Sequence, residues 1–156
     1  MKNIVVLGIG NLLLSDEGFG VHAVRELSKY TFPDNVSVYD GGTLGLLSAP
    51  LFEGCDLLVL IDAVAADGAA GTIVEYSKDD IMLDKIPVKL SQHQIGFQET
   101  LLIAELRGQC PKEIIFLGVI SDNMNAGVEL SPVCREALDK VVARVEEIIM
   151  SAPKSL

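Results

Sequence analysis

The sequence predicts an α/β protein: a three-layer α/β/α sandwich on a twisted, mixed but mostly parallel sheet of about five strands, with helices on both faces. Two observations lead there. Three apolar runs, residues 4–7, 57–61 and 114–119, are continuous rather than alternating, as strands covered on both sides must be. Segments with apolar residues at helical spacing separate the strand-like runs, and that alternation is the signature of layered α/β architecture. The 156 residues, 49% of them hydrophobic, suffice for a single domain, residues 1–156, with a full core.

Along the chain, residues 4–7 form the first strand. Val21, Val24, Leu27 and Tyr30 then recur on one helical face until Pro33 and Asp34 interrupt. Residues 36–39 are fewer and alternate with polar ones, which suits a peripheral strand. A second helix is expected over 44–52 and the third strand over 57–61. The eight residues 64–71, rich in Ala and Gly, are too few for a parallel crossover of roughly a dozen residues, so strand 72–76 should run antiparallel at an edge. Residues 78–94, with Pro87 and His93, form the longest irregular region, and long loops in compact domains are often functional. A crossover helix over 96–107 carries Phe97, Leu101 and Ala104 on one face and stops at Gly108. The last helix opens with Ser131 as cap and Pro132 in its first turn. Val133, Ala137, Leu138, Val141, Val145, Ile148 and Ile149 then form a stripe that must pack on the sheet.

Composition removes several function classes. A net charge of −10 and twelve scattered basic residues argue against nucleic acid, whose binding needs clustered Lys and Arg. No apolar run approaches the roughly 20 residues that span a bilayer, so no membrane insertion is expected. The short apolar start, residues 1–8, reads as a strand rather than a signal peptide. A cytoplasmic protein follows. Cys55, Cys110 and Cys134 are odd in number and widely spaced, as expected of reduced structural thiols.

The acidic residues at strand ends carry the chemistry. Glu17 follows the first strand and Asp62 ends the third. In an open parallel sheet the carboxyl ends of neighbouring strands converge on one crevice, where such folds bind ligands. His93, arriving on the loop over that edge, completes two carboxylates and one imidazole, a donor set that suits Zn, Mn, Fe or Ni without choosing among them. The alternative is structural: Asp62 caps a loop, Glu17 stabilises a helix N-terminus and His93 is solvated. Spacing alone leaves both open.

Gly8 and Gly10 invite a dinucleotide-binding reading, but Leu13 stands where that fingerprint needs its third glycine. Asp16 and Glu17 would also repel phosphate from the helix start. The glycine turn Asp40-Gly41-Gly42-Thr43 suits either backbone approach by a peptide or plain turn geometry. A serine hydrolase lacks support because no Gly-x-Ser-x-Gly elbow is present. His22, on the first helix, fits a packing or surface role.

Taken in register, residues 8–18, the turn at Asp40 to Thr43, Asp62, the segment Ser91-Gln92-His93-Gln94 and the strand Phe116-Leu117-Gly118-Val119-Ile120 resemble the hydrogenase maturation endopeptidases. The resemblance runs in order over nearly the whole chain. It implies an enzyme that removes a short C-terminal extension from the precursor of the nickel-containing hydrogenase large subunit after nickel insertion. It carries metal-ligand and catalytic roles onto Glu17, Asp62 and His93, and implies nickel, supplied by the substrate precursor, as the metal. Asp40, with Gly41, Gly42 and Thr43, falls to substrate contact or support of the site. One departure is visible: Ser121-Asp122-Asn123 stands where relatives commonly place a proline. A docking or chaperone module that recognises the nickel-loaded precursor without cutting it would need the same ligands.

Overall fold

The computed structural model describes residues 1–82 and 92–152, with side chains described except at 45, 46, 82 and 92–98. Five strands, β1 (Ile4–Ile9), β2 (Val36–Gly42), β3 (Leu57–Val64), β4 (Ile73–Ser77) and β5 (Glu113–Ile120), form one sheet in the order β2-β1-β3-β5-β4. The three continuous apolar runs occupy its centre, where both faces are covered. Pairings among β2, β1, β3 and β5 are parallel, and β4 runs antiparallel to β5 at the edge. The short 64–71 connection therefore has the consequence expected of its length.

Helices α1 (Phe19–Leu27) and α5 (Pro132–Ser151) cover one face, and α2 (Ala49–Phe52), α3 (Lys78–Met82) and α4 (Gln92–Leu106) the other. On the first face Phe19, Val24 and Leu27 meet Val59, Ile61, Leu138 and Val141. On the second, Phe52, Ile81 and Leu101 meet Leu58, Leu60 and Phe116. Strand alternation divides β3 between the two cores, odd positions to the first and even positions to the second.

Two expectations about the segment before β5 are corrected. Residues 78–82 are helical, not irregular: Asp80 accepts from the Ser77 N–H and hydroxyl while its own N–H bonds back to Ser77 Oγ. This reciprocal bonding is a capping box with Asp in the acidic position, and it starts α3 locally. Helix α4 begins at Gln92 rather than 96, because Gln92 and Gln94 are good helix formers although they add nothing to the apolar stripe. The remainder of the expected irregular region, residues 83–91 with Pro87, lies outside the described residues.

Candidate active site

Strand β1 delivers Glu17 to the carboxyl edge through a tight connection. After Ile9, Gly10 adopts φ 147°, and a side chain there would meet the Glu17 carbonyl. That carbonyl accepts the Asn11 N–H at 3.1 Å. Residues Ser15–Gly18 form a 3-10 turn that packs against β3 and buries Glu17. Across the sheet Gly8 pairs with Ile61, so Asp62 stands level with the last residue of β1. Asp62 is 1% exposed and its Oδ1 accepts the Ala63 N–H at 2.8 Å. The edge thus carries two buried carboxylates, on the elements the sequence predicts.

Backbone topology brings the start of α4 to the same edge. Its far end lies at the amino edge, where Arg107 meets Glu53 at 3.3 Å and the Gly54 N–H donates to the Gln109 carbonyl at 2.8 Å. Fifteen helical residues rise about 22 Å, and the eight of β3 span about 26 Å. The first turn, holding His93, therefore lies by the carboxyl ends of the strands, over the face that Asp62 shares with Leu58 and Leu60. His93 is helical rather than part of a loop. Its side chain lies outside the described residues; among those described, no three His, Cys, Asp or Glu side chains group closely enough to hold a metal.

Asp40 is exposed near the end of β2, and its Oδ1 accepts the Gly42 N–H at 2.9 Å, a side-chain turn typical of Asp. Gly42, at φ 44°, accepts the Gly10 N–H at 3.0 Å. The turn Asp40-Gly41-Gly42-Thr43 is thereby tied to the connection that carries Glu17, and Thr43 is exposed beside it.

Asp16 has a role that its sequence position does not reveal. It is fully buried. Oδ2 accepts the Asp122 and Asn123 N–H groups at 2.9 Å and the Ser131 hydroxyl at 2.8 Å, and Oδ1 accepts the Ser131 N–H at 2.7 Å. Ser131 thus turns its hydroxyl to Asp16 and makes no side-chain cap to α5. Ser15, at φ 53°, completes the clasp: its N–H donates to the Gly127 carbonyl and its hydroxyl to the Asn125 carbonyl. Residues 121–131 are fastened to the turn that holds Glu17, and Asp16 is committed to that job rather than to proton transfer.

Burial alone would push the Asp16 carboxyl up, but the bonds from Asn123, Ser131 and Asp122 outweigh it and hold the group below its ordinary value. A folded-state value below the unfolded one stabilises above roughly pH 4, and that contribution is lost as pH falls further. Asp16→Asn replaces one accepting oxygen by a donor facing donors, so it should cost about 2 kcal/mol at pH 7. The gap to the unsubstituted protein should narrow towards pH 2 in urea titrations; a gap that does not change with pH would refute this role.

Other features are structural. Burial and the neighbouring Asp56 push the Cys55 thiol up to about 11, which makes it a poor nucleophile. Burial, then Arg135 and Arg25, lower the pKa of His22, in keeping with a packing role on α1. A cavity of about 750 Å³ at the amino edge is lined mainly by apolar groups such as Tyr30, Phe32, Val36 and Ile149. It sits at the opposite end of the strands from Glu17 and Asp62.

The HycI family, described as hydrogenase maturation protease, matches residues 21–148, a range that includes Asp62 and His93 and starts just beyond Glu17. The chain belongs to the hydrogenase maturation protease family. Among relatives, the hydrogenase 2 maturation protease of Escherichia coli is 32% identical over 149 residues, covering 92% of this chain and 91% of that protein. The hydrogenase expression/formation protein HupD of Bradyrhizobium diazoefficiens is 42% identical over 118 residues, 75% of this chain; the aligned part spans 62% of that relative's length. The solved structure of the hydrogenase maturating endopeptidase HybD from E. coli superposes with a TM-score of 0.83 at 32% identity, covering 95% of this chain and 94% of that one. The five-stranded mixed sheet is therefore the maturation protease fold.

Proposed function

We propose that this protein is a cytoplasmic endopeptidase that removes the C-terminal extension of a nickel-containing hydrogenase large-subunit precursor after nickel has been inserted. The observation that carries the reading is the convergence of Glu17, Asp62 and the first turn of α4 at one carboxyl edge, in a chain of the maturation protease family. Two carboxylates and an imidazole from three separate elements form a donor set suited to nickel among other divalent metals. Glu17, Asp62 and His93 would hold the ion that the precursor presents, so nickel is treated as part of the substrate. Bound there, a metal polarises a carbonyl or lowers the pKa of water.

The protein's own residues prepare the place. Buried surroundings keep competing water from the two carboxylates, and the clasp made by Asp16 fixes the turn on which Glu17 sits. The Asp40-Gly41-Gly42-Thr43 turn is exposed at Asp40 and Thr43 and bare at Gly42, which favours close approach of an extended substrate backbone, while Gly41 faces Leu7 and Ile9 beneath it. The deciding experiment mixes the purified protein with a large-subunit precursor, nickel-loaded or nickel-free, and measures the precursor's mass. Loss of a C-terminal fragment only with nickel is the expected result. An intact precursor that nonetheless binds would assign a docking role instead.

A further inference from the structure

Leu13 and Val128 are large apolar side chains left 67% and 66% exposed on two segments that are bonded together: the Gly127 N–H donates to the Leu13 carbonyl, and the Ser15 N–H to the Gly127 carbonyl. This bridge lies within four residues of Glu17. On the other side, Leu44 and Leu47 are 44% and 75% exposed directly after the Asp40-Gly41-Gly42-Thr43 turn. The Gly10 N–H to Gly42 carbonyl bond ties that turn to the connection holding Glu17. Two apolar pairs therefore stand on opposite sides of the buried carboxylate, each one backbone link from it. Leaving four such side chains in water around one site is costly unless a partner covers them.

Charge adds a second constraint. The described segments at this edge, residues 10–18, 40–48, 62–66 and 121–131, expose Asp40, Asp122 and Glu129 around the buried Asp16, Glu17 and Asp62, and contain no Lys or Arg. Arg135, in the first turn of α5, is the exposed basic side chain that follows these segments, while Lys112, Lys2 and Arg107 lie at the amino edge, paired with Asp56, Glu113 and Glu53. A surface that is both apolar and acidic selects a polypeptide carrying apolar side chains next to Lys or Arg.

From these observations we infer that Leu13, Val128, Leu44 and Leu47 form the docking rim for the precursor, gripping an apolar segment flanked by basic residues on either side of the bond to be cut. The inference rests on the processing function proposed above, and it names the residues that set which precursor is accepted. The clasp at Asp16 acquires a further purpose here, because it holds Val128 beside Leu13. The acidic surround steers the basic flanks to the site, so association slows as salt screens it.

The test uses the full-length protein and the nickel-loaded precursor, with binding and cleavage measured separately. Leu13→Ser/Val128→Ser and Leu44→Ser/Leu47→Ser should each raise Kd and KM about tenfold or more. The single-turnover rate at saturating precursor should stay within about twofold, since these residues touch no reacting atom. Leu106→Ser, on the outward face of α4 and 80% exposed, serves as control and should bind like the unsubstituted protein. Unchanged Kd and KM in both rim variants, with cleavage intact in the unsubstituted protein, would overturn the rim and leave the processing function standing. Binding that depends on the rim, without any cleavage by the unsubstituted protein, would instead overturn the processing function and leave the rim. Equal weakening by Leu106→Ser would show non-specific apolar adhesion and overturn the rim as well.

Discussion

Substituting Glu17, Asp62 or His93 with alanine is expected to lower the rate of precursor processing by about three orders of magnitude. Metal-assisted polarisation supplies several kcal/mol of transition-state stabilisation, and about 4 kcal/mol corresponds to a thousandfold in rate. The three positions differ in what else they do. Asp62 is 1% exposed and accepts the Ala63 N–H through Oδ1, so Asp62→Ala also empties a buried polar site and should lower stability. Asp62→Asn keeps the volume and the bond to Ala63 while removing the charge that would bind a cation. Its expected signature is loss of cleavage with a stability change under about 1 kcal/mol. Single-turnover cleavage followed by mass spectrometry, paired with urea unfolding, separates the two effects. Near-normal cleavage by Asp62→Asn and by Glu17→Gln would remove the carboxylates from the mechanism.

These two carboxylates were legible in the sequence because both depend on local signals. Continuous apolar runs mark strands buried on both faces, and an acidic residue just past such a run is placed at the carboxyl edge by the fold itself. The antiparallel edge strand was legible for an equally simple reason: the length of the connection before it forbids a parallel crossover. The start of α4 was not, since Gln92, His93 and Gln94 break the apolar periodicity while remaining compatible with a helix. Helix α3 depends on a two-residue exchange of bonds between Ser77 and Asp80 that a reading based on apolar spacing passes over.

The clasp was illegible for a deeper reason. Asp16 finds its partners 106 to 115 residues away, at Asp122, Asn123 and Ser131. Neither its own neighbours nor theirs advertise the contact. Ser131 was recognisable as the start of α5, and its backbone does take the extended cap conformation, with ψ 157°. Its hydroxyl, however, serves the tertiary contact. The segment 121–123 supplies two of its N–H groups to Asp16. That contact requires free backbone donors at Asp122 and Asn123, which proline does not have. A proline at either position would therefore break the clasp.

Gly20→Ala should be a severely damaging single-methyl change. The glycines of the first connection invite a turn or phosphate interpretation, yet Gly8 and Gly20 are where α1 is pressed onto the sheet. A β-carbon at Gly20 would run into the carbonyl oxygens of Ile61 and Ile9 and lie 2.7 Å from the Ile9 nitrogen, all backbone atoms of β1 or β3. None can yield without moving α1 or disturbing adjacent strands at the level of Asp62. Gly8 shows the reciprocal constraint, since a methyl there would meet the Gly20 carbonyl. Gly20 is the second residue of α1, where helix propensity favours alanine over glycine by at most about 1 kcal/mol, so propensity alone predicts no loss. Overpacking against immovable backbone reverses the sign and should cost about 3 kcal/mol or more. Because α1 follows the 3-10 turn directly, displacing it also shifts Glu17, and processing by whatever folded protein remains should fall by at least about tenfold. Gly108→Ala provides the contrast: its φ of 70° strains alanine, but nothing lies within 4 Å of the new methyl, so the cost should stay near 1 kcal/mol. Urea unfolding of the two variants, with cleavage measured on the folded fraction, tests both halves. A Gly20→Ala protein as stable as Gly108→Ala would mean that α1 can lift from the sheet at little cost.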